Sequence, residues 1–274
     1  MSAASPELSR PLRVGIINLM PRAQTYEPSL LGLLASSGAQ VVPVWLRLET
    51  HAYSSTDPAH LAEHYVPYAR ALGMTSLDAL IVTGAPVEHL PLSQVRYWPE
   101  LREILGDARR VTHGVLGICW GALALGELAG LEKTLHARKV FGVFEHAVRG
   151  GGGSEFGLGG TSMVCPHSRF AGFSRDEVLR AERAGDVRLV AEAAGAGPAI
   201  VTAAGGAVVM HLGHPEYAPA RVAYEWERDR EAGRDDVDPP NGVTASGQMP
   251  SWEADSAAFA RAWARGVCAR RARA

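Results

Sequence analysis

The first half of the chain alternates between apolar runs and amphipathic or polar stretches. The apolar, β-branched runs predict strands buried on both faces, at 12–20, 41–48, 77–84 and 111–119. The stretches between them predict helices, at 27–37, 58–72 and 91–108. Because strands and helices alternate, the pattern predicts an α/β fold with a doubly wound, mostly parallel sheet. Chemistry in such sheets collects outside the carboxyl ends of the strands.

The second half departs from this rhythm. Shorter apolar runs predict strands, some of them antiparallel, at 139–148, 163–170, 186–193, 198–205 and 207–214. We expect them to form an added β layer on the same fold, so that 1–274 is a single domain. Its irregular parts would be a short N-terminal arm at 1–11, a glycine-rich loop at 149–161 and a loop at 233–250. The glycine-rich loop is either a solvated linker or a cover that closes over a ligand.

Charge and composition narrow the choice of partners. Lys and Arg number 27 against 29 Asp and Glu, a net charge of -2, which offers no broad basic field for nucleic acid or an anionic membrane. No apolar run reaches the roughly 18 residues that a membrane span needs, so we expect a cytoplasmic protein. Its three cysteines are too few and too scattered for a disulfide framework or a metal site, and no metal is expected.

One cysteine lies where a predicted buried strand turns directly into a helix. Gly117 and Gly121 flank Cys119 in the sequence GICWG, the small-x-nucleophile-x-small pattern of a nucleophile elbow. A helix N-terminus favours a thiolate, and the backbone N–H of Trp120 would face a developing oxyanion. Cys119 is therefore the candidate nucleophile, whereas Cys165 and Cys268 lack this setting and are interpreted as core packing.

A thiol nucleophile needs a base, and the base needs an orienting partner. His214 follows a predicted strand end, Pro215 fixes the turn after it, and Glu216 comes two residues later. At that spacing the carboxylate of Glu216 can reach the imidazole and hold its tautomer. The pattern predicts a Cys119–His214–Glu216 triad.

With these residues in place, the chain resembles the homoserine O-acyltransferase family of the homoserine transsuccinylase type. The resemblance rests on ordered motifs that run through most of the chain: INLMP (17–21), IVTGAPVE (81–88), YWPEL (97–101), ICWGA (118–122), FGVFEH (141–146), PHSRF (166–170) and GHPEY (213–217). It implies a flavodoxin-like fold of the class I glutamine-amidotransferase type. It also implies a role in amino-acid biosynthesis such as that of methionine, and a possible homodimer.

The resemblance implies a ping-pong reaction with acyl-CoA as co-substrate and no permanently bound cofactor. Cys119 would take the acyl group and pass it to the hydroxyl of homoserine, with His214 as general base. The oxyanion hole would come from backbone N–H groups near Trp120 and the Gly84-Ala85 turn. The substrate-binding positions would be Arg169, Arg228, Lys139 and Tyr217. For each charged position, a surface salt bridge is the alternative interpretation.

Glu88 bears on the choice of acyl donor. Family members that use succinyl-CoA tend to have a small residue here, whereas acetyl-CoA users carry glutamate. A fixed carboxylate beside the acyl pocket would repel the free carboxylate of a succinyl group. We therefore expect acetyl-CoA rather than succinyl-CoA.

Other readings remain open at this point. Several residues near the acceptor pocket depart from the family pattern, so L-serine or a related hydroxy amino acid is an alternative acceptor. A glutamine amidotransferase shares the elbow and the His-x-Glu pair, although Leu123 stands where such enzymes commonly have glutamine. A non-catalytic binding protein would predict a damaged triad, yet all three residues are present.

Overall fold

A single mixed β-sheet runs through the chain. The computed structural model describes residues 10–150, 158, 160–244 and 246–274. Within them the strands are β1 (Leu12–Ile17), β2 (Val41–Arg47), β3 (Val66–Pro67), β4 (Ala79–Val82), β5 (Val115–Ile118), β6 (Lys133–Val148), β7 (Ser162–Phe173), β8 (Val187–Ala193), β9 (Gly197–Ala203) and β10 (Val208–His211). The helices are α1 (Ala23–Ser36), α2 (Pro58–His64), α3 (Tyr68–Met74), α4 (Trp98–Val111), α5 (Trp120–Leu128), α6 (Arg175–Ala184), α7 (Pro219–Glu231) and α8 (Glu253–Arg271).

The strand order explains how the two halves join. It is β3-β2-β1-β4-β5-β10-β9-β8-β6-β7, with parallel pairing from β3 to β10 and antiparallel pairing from β10 to β7. The predicted doubly wound α/β fold is confirmed. The strands expected as an added layer instead extend the same sheet, because β10 pairs with β5 on one side and with β9 on the other.

The central strands are buried on both faces, as their apolar runs predicted. Ile17 and Leu80 pack into one apolar core with helices α4 and α5, while Val14 and Ile81 pack into a second core with α1 and α8. Successive side chains of a strand point to opposite faces. A continuous apolar run therefore supplies both cores at once.

Proline divides two of the predicted helices. The stretch predicted as one helix at 58–72 is α2 and α3, separated by the extended residues Tyr65 and Val66 before Pro67. A residue that precedes proline is driven out of the helical region. The stretch predicted at 91–108 is a 3₁₀ turn, Leu92–Gln94, followed by α4, whose first turn contains Pro99.

Of the irregular segments predicted from the sequence, the one at 233–250 packs against the sheet. Within 233–250, the described residues form neither helix nor strand, but Asn241 exchanges backbone hydrogen bonds with Phe141 (2.9 Å) and Val143 (2.8 Å) of β6. Most of the N-terminal arm and of the glycine-rich loop lie outside the described residues.

Candidate active site

Cys119 occupies the sharp corner between β5 and α5. Its backbone is strained, with φ 52° and ψ -110°. A Cβ on Gly117 would lie 2.3 Å from the carbonyl oxygen of Gly121, and one on Gly121 would lie 2.3 Å from that of Val82. Both positions therefore require glycine, and the GICWG pattern forms the elbow that the sequence predicted.

The thiol opens into a cavity of about 390 Å³ at the carboxyl ends of the parallel strands. Cys119 is 7% exposed and lines this cavity together with His214. Gly84 lies between them, since a Cβ there would be 3.5 Å from the Cβ of Cys119 and 3.6 Å from Cε1 of His214. The three loops that follow β4, β5 and β10 thus meet at one point.

His214 is held by its backbone and by its ring. Its N–H donates to the carbonyl of Pro166 (2.8 Å), and its ring stacks on Tyr217 with centroids 4.0 Å apart. Nδ1 lies 2.6 Å from Oε1 of Glu216, and the imidazole also hydrogen-bonds Cys119. The predicted triad residues are therefore together, buried and in contact.

The electrostatic environment of His214 favours a charged imidazole. Burial disfavours the imidazolium, but the negative sulfur of Cys119 and the carboxylate of Glu216 outweigh it and raise the pKa of His214 to about 10. At neutral pH the imidazolium therefore faces the sulfur of Cys119 on one side and the carboxylate of Glu216 on the other. This arrangement suits the thiol nucleophile that the sequence predicted at Cys119.

A second, charged cluster forms the opposite wall of the cavity. Lys139 lies 2.7 Å from Asp229 and 3.6 Å from Glu225. Arg221 donates to Glu225 (2.8 Å), and Arg228 donates to Asp229 through two nitrogens (2.8 and 2.6 Å). The three cations meet two carboxylates, so the cluster carries an excess of one positive charge.

Glu225 is the centre of this cluster. Its carboxylate also accepts from the hydroxyl groups of Ser168 and Tyr217 (2.9 Å to Tyr217). Burial favours its neutral form, but Lys139, Arg221 and Ser168 outweigh burial and lower the pKa of Glu225 to about 2. Glu225 is thus ionised at physiological pH.

Glu88 lies on the loop that follows β4 and lines the same cavity. The ammonium of Lys133 donates to the backbone carbonyls of Glu88 and Leu90, each at 2.5 Å. These bonds hold the loop against β6, so the carboxylate-bearing residue is anchored at the cavity wall.

Arg169 is the one predicted binding residue that the structure does not bring into the cavity. Its guanidinium is 1% exposed and donates to the carbonyls of Ala171 (2.7 Å) and Ala196 (2.5 Å) and to Nδ1 of His167 (3.1 Å). Because Nδ1 of His167 accepts, its Nε2 must donate to Nε2 of His146 (2.8 Å). Arg169 therefore ties β7 to its neighbours and is not available to a ligand.

The proposed oxyanion donors lie close to the thiol. Trp120 supplies the first N–H of α5, and Ala85 lines the cavity next to Gly84. The indole of Trp120 itself is fully buried and packs against Tyr97, with ring centroids 5.7 Å apart. Only its backbone can take part in the chemistry.

The described part of the chain holds no group of three or more His, Cys, Asp or Glu side chains arranged to bind a metal ion. Within the same residues, no helix combines the length and the apolar character that crossing a membrane demands. Cys165 and Cys268 are buried, at 1% and 2% exposure.

Sequence reasoning missed several residues of the site. Arg221, Glu225 and Asp229 line the cavity but lie outside every quoted motif, and Ser168 lies within PHSRF, where only Arg169 was predicted to bind substrate. On α7 the charged residues recur at helical spacing, a pattern that normally marks a solvent-exposed face. Here that face points into the molecule, and only the paired opposite charges at positions 221 and 225 hinted at it.

Solved structures place the fold in a known class. A glutamine amidotransferase from Methylobacillus flagellatus superposes with a TM-score of 0.59 at 18% identity, covering 96% of this chain and 94% of that one. A glutamine amidotransferase from Thermotoga maritima gives 0.55 at 12%, covering 94% and 99%. The chain thus has a fold of the class I glutamine-amidotransferase-like type, with a cysteine at its strand-to-helix corner.

The sequence comparisons are more specific. The family described as Homoserine O-succinyltransferase matches residues 1–270. The homoserine O-acetyltransferase of Petrotoga mobilis is 36% identical over 82% of this chain and 72% of its own length, and that of Bacillus subtilis is 32% identical over 93% and 84%. The chain therefore belongs to the homoserine O-succinyltransferase family and is an acyltransferase enzyme, which confirms the resemblance carried by the motifs.

Proposed function

We propose that this protein is a homoserine O-acetyltransferase that uses acetyl-CoA and forms a thioester on Cys119. The observation that carries the proposal is a buried Cys119–His214–Glu216 arrangement that shares one cavity with a net cationic cluster. The first feature suits thioester exchange. The second suits an amino-acid carboxylate.

In the first half-reaction, the sulfur of Cys119 attacks the carbonyl carbon of the acetyl thioester. The resulting oxyanion accepts hydrogen bonds from the backbone N–H groups of Trp120 and the Gly84-Ala85 turn. The bond from carbon to the CoA sulfur then breaks. The imidazolium of His214 gives its proton to that sulfur, so coenzyme A leaves as a thiol and His214 is left neutral.

Acetylation itself prepares His214 for the second half-reaction. The anionic sulfur of Cys119 is a leading reason that the pKa of His214 is raised, and a thioester carries no charge. The pKa of His214 therefore falls after acetylation, and the neutral imidazole can accept the proton of the homoserine hydroxyl. The hydroxyl oxygen attacks the thioester, the Cys119 sulfur leaves as an anion, and O-acetylhomoserine departs.

The charged cluster explains how the acceptor is oriented. Arg228 lines the cavity with its side chain 46% exposed and one nitrogen edge bonded to Asp229. Together with Lys139 and Arg221 it leaves one positive charge uncompensated, which matches the α-carboxylate of the amino acid. Tyr217 completes the wall and holds His214 by stacking.

Two observations support acetyl as the acyl group. The carboxylate of Glu88 lies at the cavity wall on an anchored loop, where a second carboxylate would be repelled. The relatives from Petrotoga mobilis and Bacillus subtilis are described as homoserine O-acetyltransferases.

The deciding experiment is intact-protein mass spectrometry after mixing with acetyl-CoA. We expect a mass increase of one acetyl group that persists without acceptor and disappears when L-homoserine is added, with release of free coenzyme A. Cys119→Ser should give no such adduct, because a hydroxyl is a much weaker nucleophile than a thiolate. Cys268→Ala, which removes a thiol buried in α8, is the matched control and should acetylate normally.

The same assay separates the alternatives. If L-serine removes the adduct and L-homoserine does not, the acceptor is L-serine. Ammonia release from glutamine without coenzyme A release from acetyl-CoA would indicate an amidotransferase and would overturn the proposal.

A further inference from the structure

A tyrosine that is not part of the triad contacts the carboxylate of Glu216. The hydroxyl of Tyr26 donates to Oε1 of Glu216, the same oxygen that lies 2.6 Å from Nδ1 of His214. Tyr26 and Glu216 are 4% and 5% exposed, and they lie 190 positions apart in the sequence. Within the described residues, the other oxygen of Glu216 has no hydrogen-bond partner.

The position of this hydroxyl is well defined. Tyr26 lies in the first turn of α1, which begins at Ala23 directly after the left-handed residue Arg22. The amide of Asn18 donates to the carbonyl of Ala23 (3.1 Å), and the N–H of Ala23 donates to the hydroxyl of Thr56 (3.2 Å). The helix start is thus pinned to the end of β1, and the ring of Tyr26 cannot move without it.

A carboxylate that is buried beside an imidazole needs hydrogen-bond donors to compensate for the water it has lost. Two donors converge on one oxygen of Glu216, one from the ring it orients and one from Tyr26. Burial and the nearby Glu216 charge raise the pKa of Tyr26 well above its ordinary value, so the hydroxyl keeps its proton and remains a donor. A hydrogen bond to an ionised acceptor is among the stronger kinds in proteins.

We infer that Tyr26 is a positioning residue for the acyl transfer, which holds the Glu216 carboxylate in the rotamer that faces Nδ1 of His214. The inference rests on the proposed function, because it assigns Tyr26 a role through the triad. Tyr26 contacts neither the cavity nor the thiol in this role. It acts on the reaction only through Glu216 and His214.

Tyr26→Phe tests this with the loss of a single buried hydroxyl. We expect kcat to fall on the order of tenfold, with the KM values for acetyl-CoA and the acceptor little changed, since no substrate contact is lost. Tyr65→Phe is the matched control. The hydroxyl of Tyr65 donates to a carboxylate, that of Glu27 at 2.8 Å, and accepts from the amide of Asn18 (3.2 Å), but it is not bonded to the triad. The bond from Asn18 to the carbonyl of Ala23 does not involve this hydroxyl, so the start of α1 stays held in the variant. Tyr65→Phe should keep wild-type kcat.

A double-mutant cycle with Glu216→Gln separates positioning from simple structure. If Tyr26 acts through Glu216, adding Tyr26→Phe to Glu216→Gln should lower kcat no further. Equal losses of kcat in Tyr26→Phe and Tyr65→Phe, or an unchanged kcat in a folded Tyr26→Phe protein, would overturn the inference.

Proton NMR gives a reading that needs no substrate. The Nδ1–H of His214 should give a strongly downfield, exchange-protected signal in the wild-type protein and in Tyr65→Phe, and it should shift in Tyr26→Phe. The hydroxyl proton of Tyr26 should also be exchange-protected, and it should shift upfield in Glu216→Gln. If these signals behave as expected while acetyl transfer is absent, the proposed function fails and the positioning role stands; the reverse pattern rejects the positioning role alone.

Discussion

Histidine shows how strongly individual surroundings decide chemistry in this protein. His214 has its pKa raised to about 10 by two anionic neighbours, against the effect of burial. His146 and His211 are also buried, but their rings hydrogen-bond to backbone groups and to His167 rather than to a carboxylate. Their pKa values are lowered to about 4 and about 3, chiefly by burial. The same side chain is thus a cation at one site and neutral at the others because of the charges beside it.

Donor choice is testable at one residue. Glu88→Gly removes the carboxylate at the cavity wall, so turnover with succinyl-CoA relative to acetyl-CoA should rise, on the order of tenfold, because a like-charge repulsion is lost. Coenzyme A release with the two donors under matched conditions measures the ratio. Glu49→Gly, an exposed glutamate far along the chain from this loop, serves as the control. An unchanged ratio in Glu88→Gly would remove the electrostatic argument.

The proposed role of Arg228 in binding the acceptor can be tested by substitution. Arg228→Ala should weaken the second half-reaction, with acceptor KM rising on the order of tenfold or more, because the charge left for the α-carboxylate is lost. Formation of the acetyl adduct should be little affected. Stopped-flow measurement of the two half-reactions separates them. Arg230→Ala, on the same helix but outside the cavity lining, is the control, and equal loss in both half-reactions would assign Arg228 a structural role instead.

At the scale of elements, the site depends on where strands end and helices begin. The β5–α5 corner presents the thiol, the loop after β10 brings His214, and α7 turns its charged face inward over both. Close contact of backbone atoms makes the corner possible, since Gly121 lies against the carbonyl of Val82 at the end of β4.

A methyl group at this corner should therefore be costly. Gly121→Ala places a Cβ 2.3 Å from the carbonyl oxygen of Val82, so the strands and α5 must separate. We expect a loss of at least about 2 kcal/mol in the free energy of unfolding, measured by urea denaturation. Gly106→Ala in α4 meets no atom within 4 Å and should instead gain up to about 1 kcal/mol from higher helix propensity. Equal stability of the two variants would contradict the steric explanation.

At the scale of the whole molecule, one sheet carries both the parallel scaffold and the antiparallel extension. β10 belongs to both, and it leads directly to His214. Three buried histidines lie on these strands: His211 on β10, and His146 and His167 on β6 and β7 of the antiparallel extension. The homodimer that the family resemblance implies stays a prediction, which light scattering can test.

The pKa values of these histidines predict how the free energy of unfolding depends on pH. His146, His167 and His211 have lowered pKa values in the folded state, so on unfolding below about pH 6.5 they take up protons. The free energy of unfolding should fall with decreasing pH by about 1.4 kcal/mol per pH unit for each such histidine, until the folded pKa is reached. His214 acts in the opposite direction: its contribution is complete below about pH 6.5 and is lost as the pH rises towards 10.

Urea denaturation at several pH values measures this dependence. Stability should be greatest near neutral pH and decline steeply between pH 6.5 and 5. His211→Met, which replaces an imidazole whose Nε2 has no partner within the described residues, should give a shallower acid slope. A flat profile between pH 7 and 5 would contradict the explanation.

The sequence by itself determined the class of fold and predicted the residues that are proposed to react. Apolar runs reveal buried strands, since both faces must avoid water, and GICWG and GHPEY are local patterns whose chemistry depends on near neighbours. The tertiary structure alone decided that Glu225 and Asp229 face inward, that Arg169 supports a strand and that Tyr26 reaches Glu216. These depend on contacts between residues distant in the chain, and helical or strand periodicity does not encode which partner a polar face will meet.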